Sequence, residues 1–123
     1  MLYAIILTVV LVGLTGFQLA LAVGAPWGHF AWGGQHRVLP VGLRIGSVVS
    51  ILVYAVIAVI AWDRVGTIDV FPDLFSEVAM WVIFGYFVLG IAANAISRSK
   101  PERYTMVPVV IVLAVLSLLI ALG

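Results

Sequence analysis

Apolar residues fall into four long runs along the chain, parted by three breaks of different character. The runs cover about residues 2–23, 41–62, 74–96 and 101–122, each close to the ~20 apolar residues a helix needs to cross bilayer hydrocarbon. The few polar positions inside them keep helical spacing. In the first run Thr8, Thr15, Gln18 and Ala22 share one face, and Gly13, Gly16 and Ala20 another. Small residues let helices approach closely in lipid, so this helix is expected to pack on two sides. In the second run Gly46, Ser47, Ser50, Tyr54, Ala58 and Ala61 share a face with Arg44 at its edge, and Gly42 and Gly46 form a G-x-x-x-G. The third gathers Tyr86, Gly90, Ala93, Asn94 and Ser97. The fourth is nearly all Val, Ile and Leu around Ser117, with Pro108 as a candidate kink. It reads as the helix set furthest out, against lipid.

The pattern predicts an all-α membrane fold, a four-transmembrane-helix bundle forming a single domain over residues 1–123. A secretory signal would want a basic start and a shorter apolar core; no Lys or Arg precedes Arg37, so the first run is expected to stay as a membrane span.

The breaks carry the start signals. Pro72-Asp73 suggests a helix start with Asp73 as N-cap and Glu77 near the positive end of the helix dipole. Ser99-x-x-Glu102 fits a capping box with Pro101 in the first turn. The first break, Gly24–Arg44, is of another kind: GAPWGHFAWGGQHRVLPVGLR holds both histidines and two of the four tryptophans. A connection of about 16–20 residues is long for two helices, which are usually joined by 2–8, and such loops tend to cover a site.

Four crossings put the first and third breaks on one side, and the second break with both termini on the other. Arg37, Arg44, Arg98, Lys100 and Arg103 then oppose Arg64 alone, which places the first and third loops in the cytoplasm and both termini outside. The same topology brings Gln18, Arg44, Ser47 and Asn94 into one leaflet, within ~10 Å of the first loop. Polar groups in lipid turn inward and find partners. A ligand-binding or intramembrane polar cluster of these four is expected, lidded by Trp27, Trp32, Gly33, Gly34 and Gln35. Arg44 suits an anionic group, or snorkelling to headgroups.

Composition narrows the chemistry. With 65% apolar and 9% charged residues, a soluble fold lacks the polar residues to cover its surface. The absence of cysteine excludes disulfides, thiolate catalysis and Cys-based metal sites. A net charge of +1 gives nucleic-acid binding no electrostatic basis. His29 and His36 lack a carboxylate between Gly24 and Arg44 to complete a metal site, so no metal or cofactor is expected. No nucleophile triad, phosphate loop or carboxylate pair stands at usable spacing, and no catalytic residue is assigned.

The strings G-A-P-W-G-x-x-x-W-G-G-Q-x-x-x-L-P-x-x-x-R and S-R-S-K-P-E-R-Y-x-x-x-P give the chain a resemblance. It resembles a family of small, uncharacterised bacterial four-span integral membrane proteins over nearly its full length. The likeness implies a bacterial cytoplasmic (inner) membrane protein and carries no activity or site with it. The expected role is non-enzymatic, as a binding or accessory component in the lipid bilayer, with another membrane protein or further copies of itself as candidate partners. The alternatives are a homo-oligomeric transporter or channel for a small solute or ion, and a binder or enzyme for a lipid-like molecule.

Overall fold

The computed structural model describes all residues, Met1–Gly123. Four helices, α1 (Leu2–Ala22), α2 (Val41–Arg64), α3 (Asp73–Ala95) and α4 (Lys100–Leu122), account for about three-quarters of it. Each is long and apolar enough to cross a membrane. Two short 3-10 turns, Gly28–Phe30 and Trp32–Gly34, interrupt the long first loop. The chain is therefore an all-helical bundle of four candidate spans, of the kind the hydropathy pattern predicts.

The helix ends follow from local chemistry. α1 and α2 both stop at a glycine in the left-handed region, Gly24 (φ 96°) and Gly66 (φ 86°). At the first stop Gly24 N–H donates to Leu21 O and Ala25 N–H to Ala20 O; at the second Gly66 N–H donates to Asp63 O and Thr67 N–H to Trp62 O. This is the Schellman arrangement, which a Cβ at the turning residue disfavours. α2 and α3 each begin directly after a proline, Pro40 and Pro72. Asp73 is thus the first helical residue rather than the cap expected from the sequence, and its side chain makes no capping bond.

Two tight pairs, α1 on α2 and α3 on α4, meet along looser α1–α4 and α2–α3 seams. Ala4, Leu7, Leu11, Ile57, Met80, Ile83, Phe87 and Leu113 fill the middle of the bundle. In lipid the tails outside are as apolar as this core, so close packing and internal hydrogen bonds hold the helices together. Trp62 Nε1 donates to Thr8 Oγ1 at 2.9 Å, and that hydroxyl donates to Ala4 O at 2.7 Å, tying α2 to α1.

Two expectations about packing are corrected. α4 is the most buried of the four helices, not the outermost. Its Leu113, Ala114, Leu116, Ser117, Ile120 and Ala121 are all buried, and it touches every other helix and both 3-10 turns. An apolar face in a bilayer is equally content against lipid or protein, so composition alone does not place it. Gly13 and Gly16, in turn, face open space; α1 packs on two neighbours without using its glycine face. Gly42 also faces open space, and Gly46 receives a loop side chain, so the G-x-x-x-G makes no helix–helix contact.

Candidate functional site

A cavity of about 210 Å³ opens at the end of the bundle where the first loop lies. Its floor is apolar, made by Leu14, Phe87 and Leu113, and its roof is Phe30, Ala31 and Trp32 from the loop. Between them the four helices contribute a polar belt: Gln18 from α1, Ser50 and Tyr54 from α2, Tyr86 and Asn94 from α3, and Glu102 from α4.

The roof is a fitted piece rather than a slack connection. Gly28 N–H donates to Arg37 O at 2.8 Å, pinning the loop across its own waist, and the backbone of His36 lies too close to Gly28 to admit a Cβ. Leu39 anchors the far end, 2% exposed. Phe30 meets Phe17 of α1 edge-on, with ring centroids 6.5 Å apart. Trp32 holds a left-handed backbone (φ 54°), a conformation that costs a non-glycine residue about 1–3 kcal/mol unless its surroundings enforce it. Here they do. Its indole lies on Gly46 of α2, where an added Cβ would sit 2.9 Å from the ring.

The fastening comes from α4. Ser99 Oγ donates to His29 O, and Glu102 Oε2 accepts the Gly33 amide at 3.3 Å. Gly34 packs against the Ser99 side chain with no room for a Cβ. The capping box expected at Ser99-x-x-Glu102 is therefore not made: Ser99 is the N-cap by position, but neither side chain caps the helix. Both are turned to the loop instead. A first helical turn near water has solvent for its free amides, whereas the inward-facing backbone of the loop does not.

The hydrogen bonds sort the belt's donors from its acceptors. Gln18 Nε2 donates to Tyr54 Oη at 3.3 Å, Asn94 Nδ2 to Gly90 O at 2.7 Å, and Ser50 Oγ to Gly46 O at 3.0 Å. These donors are spent on the protein. Gln18 Oε1 is buried and has no partner. Glu102, 6% exposed, accepts one hydrogen bond and is the single formally charged residue on the wall. The belt thus mixes hydroxyl and amide groups that can donate or accept with one carboxylate, Glu102, and carries no cation.

No family model, curated protein or solved structure matches the chain. The geometry therefore carries the functional argument.

Of the four residues expected to cluster, Gln18 and Asn94 line the cavity, and Arg44 and Ser47 do not. The Arg44 guanidinium lies against Gly24 at the loop's entry, with Nε unpaired. Ser47 is fully buried with its hydroxyl unpaired. Ser50 and Tyr54 lie about 4.5 and 10 Å further along α2 than Ser47 and take its place on the wall. Of the expected lid, Trp32 roofs the cavity, and Gly33 and Gly34 fasten it. Trp27 lies outside, in a shallower recess with Phe17, Phe30, Thr105 and Met106, while Gln35 is exposed. Glu102 was missing from the expected cluster because a local motif already explained it.

The cavity has an apolar continuation. Tyr86 lines both the polar cavity and a groove of about 380 Å³ between α2 and α3, whose other walls include Val49, Val53, Ile57 and Ile83. Ile60, Val82 and Ile83 carry this groove into a second one of about 640 Å³, reaching Leu74 and Phe75. Tyr86 thus stands between the polar chamber and an open apolar groove on the outer face of the looser α2–α3 seam.

Proposed function

We propose that this protein is a non-enzymatic binder of a small lipid-like molecule, its polar end under the first loop and its apolar part along the α2–α3 groove. The observation that carries this is the buried, unpaired Gln18 Oε1 on the wall of a cavity that shares Tyr86 with the groove. Of the residues with a buried unpaired side-chain atom, Gln18, Arg44, Ser47, Arg64 and Ser117, Gln18 alone lines the cavity, where an occupant can supply the missing partner. The size fits one end of a molecule. A cavity of about 210 Å³ falls below the ~300–1,000 Å³ of pockets that enclose a whole drug-sized ligand.

Transport through a single bundle has less support. Below the cavity Leu7, Leu11, Met80, Ile83 and Leu113 are packed without a polar path, and Glu77 is exposed on the outside of α3. Catalysis has no pair of groups to run it. The setting we propose is the bacterial cytoplasmic membrane, with the roofed end cytoplasmic, because Arg37, Arg44, Arg98, Lys100 and Arg103 all lie there.

The test is native mass spectrometry of the protein extracted in mild detergent, beside a Ser50→Leu variant that fills the chamber. A molecule carried by the wild type and lost from the variant supports the reading; bare wild-type protein overturns it.

A further inference from the structure

The wall of the chamber says which chemistry the occupant's polar end has. Three side-chain donors on the belt are already engaged with protein acceptors, those of Gln18, Ser50 and Asn94. The one charged group left is a carboxylate, Glu102, joined by a buried unpaired amide oxygen, Gln18 Oε1, while the Tyr54 and Tyr86 hydroxyls can turn to donate or accept. Neither Lys, Arg nor His is among the lining residues. The cations at this end of the bundle stand off the wall. Arg103 Nη1 donates to Ser97 O at 3.4 Å, and its guanidinium lies 5.6 Å from the Tyr104 ring centroid. The Arg44 guanidinium is stacked on Gly24. Six of the sixteen lining residues are aromatic: Phe17, Phe30, Trp32, Tyr54, Tyr86 and Phe87. Aromatic faces attract cations, most strongly where water is excluded.

Resting on the binding reading above, we infer that the chamber selects the protonated amine of a single-chain or lipid-like amine, with Glu102 as counter-charge and Gln18 Oε1 as second acceptor. An alkylammonium brings the N–H donors that these acceptors lack, and its charge offsets the buried carboxylate. An anionic headgroup would face Glu102 with no cation on the wall to hold it. An amine carrying an adjacent phosphate is disfavoured for the same reason, so the source is a phosphate-free amine. The Gly33 amide occupies one oxygen of Glu102, which keeps the carboxylate at the rim while leaving acceptor capacity free.

The experiment compares three probes with one tail, dodecylamine, dodecanol and dodecyl phosphate, titrated at neutral pH into the purified protein in maltoside detergent. Binding is followed by tryptophan fluorescence, since Trp32 lies on the wall. Dodecylamine is expected to bind at least ~10-fold tighter than dodecanol, as a charge-assisted hydrogen bond in a partly dry site should give, with dodecyl phosphate weakest. Glu102→Gln still accepts from Gly33, so the roof stays fastened; it should bring the amine to within about threefold of the alcohol and leave the alcohol unchanged. An amine that binds no tighter than the alcohol, or a preference that survives Glu102→Gln, overturns the inference. Equal binding of all three probes, abolished by Ser50→Leu, overturns the amine selectivity while the binding site itself stands. No binding of any probe, together with bare protein in the mass spectrometer, removes both.

Discussion

The two ends of the bundle solve the same problem in opposite ways. At the end with the termini, Asp63 is buried at the foot of α2 and every bond it makes closes the structure. One oxygen accepts the amides of Val70 and Phe71 at 2.7 and 2.8 Å, and the other accepts the Ser76 hydroxyl. Arg64 beside it donates to Ala121 O at 3.1 Å, and Thr67 reaches Met1 Sδ at 3.9 Å. One carboxylate thus folds the α2–α3 link and fixes the start of α3. At the other end Glu102, equally buried, holds one amide, and Gln18 beside it keeps an oxygen without a partner. Burial alone does not mark a functional carboxylate. Whether its surroundings use it up does.

Five substitutions test this contrast, taken from the largest expected effect. Asp63→Ala strands two amides and a buried hydroxyl, and should lower the melting temperature in detergent by roughly 10 °C or more. A loss of only a few degrees would deny that this end is the structural one. Gly28→Ala drives a Cβ into the His36 backbone. It should cost roughly 1–3 kcal/mol, in the range of overpacking, and raise protease cleavage between Trp27 and Arg37 without loosening the helices. Gln18→Leu removes the unpaired oxygen along with its bond to Tyr54. It should change stability by less than about 1 kcal/mol while eliminating most ligand binding, since the hydroxyl it frees lines an open chamber. A large loss of stability would make Gln18 a structural residue like Asp63. Gly13→Ala and Gly16→Ala place methyl groups in open space. They should be neutral or stabilising by up to about 1 kcal/mol through helix propensity, as read by melting temperature, and any loss of assembly would restore a role for that glycine face.

How much of this was legible in the sequence divides along the same line. The spans were, because a membrane demands long apolar runs and those runs are unmistakable in Leu2–Ala22 or Lys100–Leu122. The faces carrying Ser50 with Tyr54, and Tyr86 with Asn94, were also legible, since helical spacing fixes which residues lie together. Which part of that α2 face would meet the chamber was not: Ser47 and Ser50 share it about 4.5 Å apart in height, and the chamber's depth is set by packing that neighbouring runs of Val and Leu do not encode. The depth of α4 was hidden for the same reason. Ser99 and Glu102 were hidden differently. A complete local motif supplied a sufficient account of both, and their true partners, His29 and Gly33, lie 70 and 69 residues away. Asp63 was visible as one acid in a polar link, but nothing in its neighbours announced three donors converging on it.

The fastening of the loop by Ser99 and Glu102 also sets an order of events during synthesis. The roof is made early, directly after α1, yet the groups that hold it belong to the last helix to leave the ribosome. Until α4 is in place, the His29 carbonyl lacks the Ser99 hydroxyl and the Gly33 amide lacks the Glu102 carboxylate, and the roof is held by α1 and α2 alone. A chain that has not yet made α4 therefore carries an unfastened chamber, and the arrival of α4 closes it.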